Sequence, residues 1–162
     1  YQGSSSLLLT GSLGNIMKES AQIALSYIKA HQQAFKIPLT ILKDDIHIHV
    51  PSGSIPKEGP SAGITLTTSI ISAFTGKKVS SKIAMTGELT LTGEVLAVGG
   101  IKEKVLGAYR NGIKTIYLPS QNKKDLKDIP DNIKDKITFI FIKDYQELYT
   151  DLFERAEEKV CN

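Results

Sequence analysis

Three sets of side chains in this 162-residue sequence could carry covalent chemistry. The first is Ser61, set in "PKEGPSAG" (56–63). Gly59 and Pro60 force a turn directly before it, and Ala62 and Gly63 keep the space beside it free of bulk. A helix is predicted next, and the first N–H groups of a helix have no partner within it. Such groups can stabilise a developing oxyanion. A serine in this place is more often an N-cap, accepting a bond from an N–H two or three residues on. "GPSAG" is also not the G-x-S-x-G spacing of α/β-hydrolases. Residue types alone leave both roles open.

A serine nucleophile needs a base. His47 and His49 lie on one face of "IHIHV" (46–50), and with Asp44 or Asp45 they would give the order Asp, His, Ser, known from one triad lineage. The plainer reading is a pair of polar side chains on a strand's less buried face. As zinc ligands the two lack a third: His31 is remote in sequence and is predicted on a helix surface. A lysine can serve instead if its amine is buried enough to stay neutral. Lowering a lysine from about 10.4 to about 7 takes ~4–5 kcal/mol of differential desolvation, which no surface lysine receives. "IKEK" offers Lys102 and Lys104. On a helical wheel, Ile101, Val105, Leu106, Ala108 and Tyr109 span one broad arc. Lys102 falls inside that arc and Lys104 at its edge, so periodicity leans toward Lys102. With Glu103 between them, both also read as ordinary surface lysines. "GAYRNGIKT" (107–115) approaches the phosphate-binding G-x-x-x-x-G-K-[ST]. An isoleucine displaces its lysine, and it runs from a helix into a strand, the reverse of a P-loop.

Short elements must position these groups. "SLLLT" (6–10) and "IHIHV" read as strands, the second by strict alternation. Residues 13–34 have a helical period through Ile16, Ala21, Ile23, Ala24, Tyr27 and Ile28. "PSGSIPKEGP" is a loop by its proline and glycine content. Residues 61–75 are rich in β-branched types, yet Leu66, Ile70, Ala73 and Phe74 fit one helical face, with Gly76 as the stop. "KIAMTGELTLTGEVLAV" predicts a meander of short strands punctuated by Gly87 and Gly93. "GGIKEKVLGAYRNG" is a Gly-Gly turn, a helix and a terminating Gly112. "KTIYLP", "ITFIFI" and a helix over about 144–158 complete the series. The whole predicts an α+β fold, one compact domain of short mixed strands and packed helices.

The length suits one domain with a substantial core, and no internal repeat or long linker divides it. No run of 18 apolar residues could span a membrane, and no signal peptide opens the chain. The single cysteine, Cys161, excludes an intramolecular disulfide and a cysteine metal cluster, which suits a reducing, intracellular setting. A formal charge of +3 is too small to argue for nucleic acid. The lysines of "NKKDLKD" are interleaved with aspartates and read as a solvated face.

Taken in order, the segments "TGSLGNIMKES", "IHIHVPSGSIPKEGPSAGI", "AMTGELTLTGEVLAVGGIKEK", "GIKTIYLP" and "NKKDL" followed by "IPDNI" resemble the proteolytic domain of Lon, the ATP-dependent protease. The resemblance covers nearly the whole chain. It implies a Ser-Lys dyad, with Ser61 as the nucleophile and the second lysine of "KEK", Lys104, as the base, against the lean toward Lys102. It further implies that Thr86 of "MTGE" orients the lysine, that His47 and His49 support the site, and that the backbone at Glu58, Gly59 and Ser61 holds the oxyanion. No cofactor or metal is implied in this domain. ATP and Mg2+ are implied in an AAA+ ATPase module, absent here, that feeds unfolded protein substrates to a homohexameric ring. Residues 1–162 then form an excised fragment that also lacks N-terminal strands. The compartment is the mitochondrial matrix, toward which "GELTLTG" leans, or the bacterial cytoplasm. Two residues depart from the family pattern. Glu58 stands where the motif has aspartate, and Ser52 stands where "VPEG" has glutamate. The competing class is a non-catalytic module that only builds a ring, but ring assembly needs none of Ser61, Lys104 and Thr86.

Overall fold

A computed structural model describes residues 7–11, 14–38, 46–50 and 62–155. Strand β1 (Leu7–Gly11) pairs in parallel with β2 (Ile46–Val50), Leu7 opposite Ile46 and Gly11 opposite Val50. Helix α1 (Asn15–Ala30) connects toward β2, and α2 (Gly63–Thr75) comes after it. β3 (Ile83–Met85), β6 (Thr115–Pro119) and β7 (Thr138–Ile142) form a parallel three-stranded sheet with β6 in the middle. β4 (Glu88–Leu89) and β5 (Val95–Leu96) form a hairpin. Helix α3 (Ile101–Arg110) leads into β6. A 3-10 segment (Ser120–Asp128) and the short α4 (Asp131–Lys134) lead into β7. The α5 turn (Tyr145–Tyr149) runs on into a π-helical turn (Thr150–Glu154). This is the α+β arrangement expected.

The central sheet is packed on both faces. Tyr117 of β6 belongs to one core with α1, α2, the hairpin and α5, while Ile116 and Leu118 belong to another with α3 and the 3-10 segment. The pleat sends alternate residues to opposite faces, so "TIYLP" is a continuous apolar run because both of its faces are covered. The same alternation sorts the neighbours. Ile83, Met85 and Ile140 join the first core, and Ala84, Phe139 and Phe141 the second. Aromatic rings fill the first core, with Phe35, Tyr145, Tyr149 and Phe153 all fully buried. Phe35 and Tyr149 lie 4.8 Å apart, centre to centre.

Several expectations need correction. The strands over 82–98 are not one meander: β3 pairs in parallel with β6, and only β4 and β5 form a hairpin. Gly87 lies at the break between the two sheets, where the chain changes partner. The first helix ends at Ala30 rather than 34, and Ile16 is 52% exposed. His31 is the C-cap of that helix, not a surface residue along it, and its Nδ1 lies 3.0 Å from Tyr27 O. Helix α2 is buried chiefly through Ile64, Thr67, Thr68, Ile70 and Ile71, while Ala73 is exposed. The apolar pattern missed Thr67 and Thr68 because their polarity is hidden. Each hydroxyl donates back to a carbonyl one turn earlier, at 2.8 Å, leaving a methyl to pack. Gly76 adopts φ +69° and stops α2 as expected. The last helix is an α-turn and then a π-turn within the described residues.

The start of α2 presses on the segment after β3. A side chain at Gly63 would put its Cβ 2.8 Å from the Leu89 backbone nitrogen. One at Gly87 would lie 2.7 Å from Val95 Cγ1 and 3.3 Å from Ile64 Cδ1. The Ile64 N–H, a first-turn donor without a partner in its own helix, donates to Gly87 O at 3.3 Å.

These contacts set two stability outcomes. Gly63→Ala destabilises by about 1–3 kcal/mol in thermal or urea unfolding, since the atom it meets is backbone and cannot swing away. Thr68 and Tyr145 share a buried hydroxyl contact of 2.8 Å, and here the two deletions differ. Tyr145→Phe costs about 1 kcal/mol, because Thr68 still donates to Ile64 O. Thr68→Val removes the partner of a tyrosine hydroxyl with no access to water, and costs more, about 1–3 kcal/mol. Equal losses would contradict this account.

Candidate active site

Thr86 directly succeeds β3, and its N–H continues the ladder by donating to Tyr117 O at 3.2 Å. It is two residues beyond Ala84, so the pleat turns it to the same face, the one covered by α3. On that helix Ile101 and Val105 are buried and Ala108 is half-buried. Lys104 lies one turn from Ile101 and from Ala108, at the border of this stripe. The two elements therefore bring Lys104 Nζ to 3.2 Å from Thr86 Oγ1, the amine donating. Thr86 is buried at 7% exposure.

Lys104 as a whole is an exposed residue, yet its amine end is turned in against protein. Desolvation of that amine lowers its pKa from the ordinary 10.5. Exposure of the stem and desolvation of the tip are compatible, and only the tip bears on proton transfer. Lys102 is exposed and beside Glu103 lines a polar cleft of about 480 Å3 at the start of α3. The lean of periodicity toward Lys102 is thus corrected. Leu106 is only half-buried, so the apolar arc is narrower than the wheel suggested on the side where Lys102 lies, while Lys104 borders its other edge.

Ser61, Glu58, Gly59, Ser52 and both candidate aspartates, Asp44 and Asp45, lie outside the described residues, as does Cys161. The residue before α2 is Ala62, which offers no side-chain cap. Gly63, two residues after Ser61 in sequence, lies against Gly87 and Leu89, in the segment that follows Thr86. His47 is exposed. It borders a cavity of about 230 Å3 with Leu66, Ser69, Ile70 and Phe74 along α2. His49 belongs to β2, and its side chain is outside the described set. Among the described residues no group of three or more His, Cys, Asp or Glu could hold a metal, and no helix is long and apolar enough to cross a membrane.

Asn122 reads in the sequence as one more member of a solvated run, and the structure corrects this. It is 2% exposed and bonded to Val98 on the loop before α3. The signal available was an asparagine just after a buried strand, but a lone asparagine in a charged run gives no reason to expect burial.

Comparison with known proteins identifies the family of this chain. The family model of the Lon protease (S16) C-terminal proteolytic domain matches residues 1–155. Lon protease of Mesomycoplasma hyopneumoniae is 55% identical over 152 residues, 94% of this chain and 18% of that protein. Lon protease of Mycoplasma genitalium is 52% identical over 152 residues, 93% of this chain and 19% of its own length. For Lon protease of Dictyoglomus thermophilum the identity is 48% over 163 residues, 98% of this chain and 21% of the relative. The chain spans about a fifth of the length of these relatives. With its α+β fold and a family match over nearly its full length, the chain belongs to the family of Lon protease C-terminal proteolytic domains.

Proposed function

We propose that this chain is a serine endopeptidase domain in which Ser61 is the nucleophile and Lys104 the general base. The observation that carries the reading is the Lys104 amine, partly desolvated and donating to Thr86 Oγ1 at 3.2 Å. A neutral amine that donates to Thr86 keeps its lone pair for the Ser61 proton. Deprotonated Ser61 Oγ attacks the peptide carbonyl, and backbone N–H groups at Glu58, Gly59 and Ser61 hold the oxyanion. Lys104 returns the proton to the leaving amine. A water, deprotonated by the same lysine, then releases the acyl group from Ser61. Packing of Gly63 onto the segment after Thr86 supports this arrangement, because Gly63 is two residues from Ser61 in sequence. His47 and His49 take a supporting part from β2, and Glu58 another from the segment before Ser61 in sequence.

At the level of the whole protein, the reading is ATP-dependent degradation of unfolded, misfolded and regulatory proteins to short peptides. An AAA+ module with ATP and Mg2+ lies outside this chain, and the assembly is a homohexamer. The three relatives named above are bacterial, which favours the bacterial cytoplasm over the mitochondrial matrix.

Ser61→Ala and Lys104→Ala each abolish cleavage of an unstructured peptide with the fold intact by circular dichroism, whereas Lys102→Ala keeps most of the activity. An active Lys104→Ala enzyme would remove the lysine from its role. The amine must be neutral to act, so kcat/KM rises with pH along a limb centred below 10.5. Lys104→Arg, charged at every pH, is inactive throughout. The Lys104 part of stability moves in the same direction. The unfolded chain holds this proton more tightly than the folded chain, so the contribution of Lys104 to stability increases as pH rises through the window from the lowered value to 10.5, against the buried tyrosines, whose raised values act the other way. In Lys104→Met that increment is missing from a series of urea melts.

A further inference from the structure

We infer that Asn122 is a positioning residue for Lys104, acting by clamping Val98 and so fixing the loop from which the first turn of α3 starts. Asn122 Oδ1 accepts from Val98 N–H at 3.0 Å, and Nδ2 donates to Val98 O at 2.8 Å. The second Nδ2 hydrogen goes to Asp125 Oδ2 at 2.7 Å. Both donors are used, and the amide can face only one way, because turning it over would set NH2 against N–H and oxygen against oxygen. The side chain thus grips one residue by both of its backbone groups, as a neighbouring strand would. It does so while 2% exposed, where competing water is excluded.

Val98 matters for its place directly ahead of α3. Only Ala97, Val98, Gly99 and Gly100 separate β5 from that helix. Helix α3 has no side-chain N-cap, and its N-cap position is Gly100, at φ +69°. Lys104 N–H donates to Gly100 O at 3.1 Å. Lys104 Cε lies 3.9 Å from where a Gly100 Cβ would stand, so the loop also flanks the lysine stem. A helix start without a side-chain cap, next to two consecutive glycines, is held by Ile101 in the core and by whatever fixes the loop ahead of it. The Asn122 amide supplies that hold from the far end of β6. Releasing Val98 lets the first turn shift and carries the amine away from Thr86. A displacement of about 1 Å at a catalytic group can cost on the order of 100-fold in rate.

This inference rests on the Ser61–Lys104 reading, and the experiment separates the two. Peptide cleavage and fluorophosphonate labelling of Ser61 are measured for wild type, Lys104→Ala, Asn122→Ala and Ile129→Val. The last variant loosens the same core and leaves both Asn122–Val98 hydrogen bonds in place. Asn122→Ala is expected to lower kcat about 10- to 100-fold with KM little changed, and to slow Ser61 labelling by a similar factor. Ile129→Val should lose thermal stability but not kcat. If Asn122→Ala does not fold, Asn122→Asp keeps the acceptor for Val98 N–H and loses both donors, and its kcat should fall in the same direction. A wild-type kcat in the folded Asn122 variant overturns the inference. So does a loss no larger than that of an Ile129→Val protein of equal melting temperature. Undiminished labelling of Ser61 in Lys104→Ala sinks the dyad reading itself, and the positioning role with it.

Discussion

The arrangement depends on a contact that no side chain could occupy. Where α2 begins, Gly63 meets the backbone of Leu89, and Gly87 gives way to Val95 and Ile64. With a Cβ at either glycine the helix would stand off from the segment after β3, and the Ile64 to Gly87 bond would be lost. The glycines of "PSAG" and "MTGE" therefore belong to one interface. Their smallness is a statement about distance between two backbones rather than about flexibility. Protein interiors tolerate little change in volume, so this approach is fixed once the core on either side of it is packed.

A second constraint comes from the sheet. β6 is buried on both faces, and its pleat divides the molecule into two cores. Thr86 continues β3 and inherits the phase of Ala84, so it faces α3 without any special local geometry. Lys104 meets it because the buried stripe of α3 borders on that residue. The pair is thus a product of two periodicities, one of two residues and one of 3.6, crossing at the carboxyl ends of parallel strands. Sites recur at those ends in open parallel sheets, since the chain leaves the ladder there and its polar groups become available.

Much of this was legible beforehand. The strand over "IHIHV", the stop at Gly76 and the Gly-Gly entry to α3 were each carried by a local rule, and the structure keeps them. The misreadings have a common cause, which is that partner choice is not local. The strand pattern over 82–98 could not show that Ile83–Met85 pairs with a strand some thirty residues later. Thr67 and Thr68 hid in α2 because a back-bonded hydroxyl lets a polar residue pack as an apolar one. The helical wheel favoured Lys102 because it weighted Leu106 as core, and only the neighbouring elements decide how wide a buried arc is. Asn122 was missed for a related reason: its charged neighbours described the surface, and its own bonds reach 24 residues back along the chain. Resemblance to a family pointed to Lys104 where periodicity did not, since it brings in tertiary information that a single helix lacks.

The placement of the lysine on its helix also has chemical consequences. Burial of the amine is the main reason its proton is held less tightly. Lys104 stands in the opening part of α3, and helical side chains lean toward the N-terminus, so the amine lies near the positive end of the helix dipole. A positive charge is disfavoured there, which acts in the same direction as desolvation. Gly100 brings no side-chain oxygen to quench the first N–H groups. Had the same lysine stood in the last turn of a helix, the dipole would have favoured the ammonium and burial would have had to do more. The stem of Lys104 remains exposed while its amine is held against Thr86.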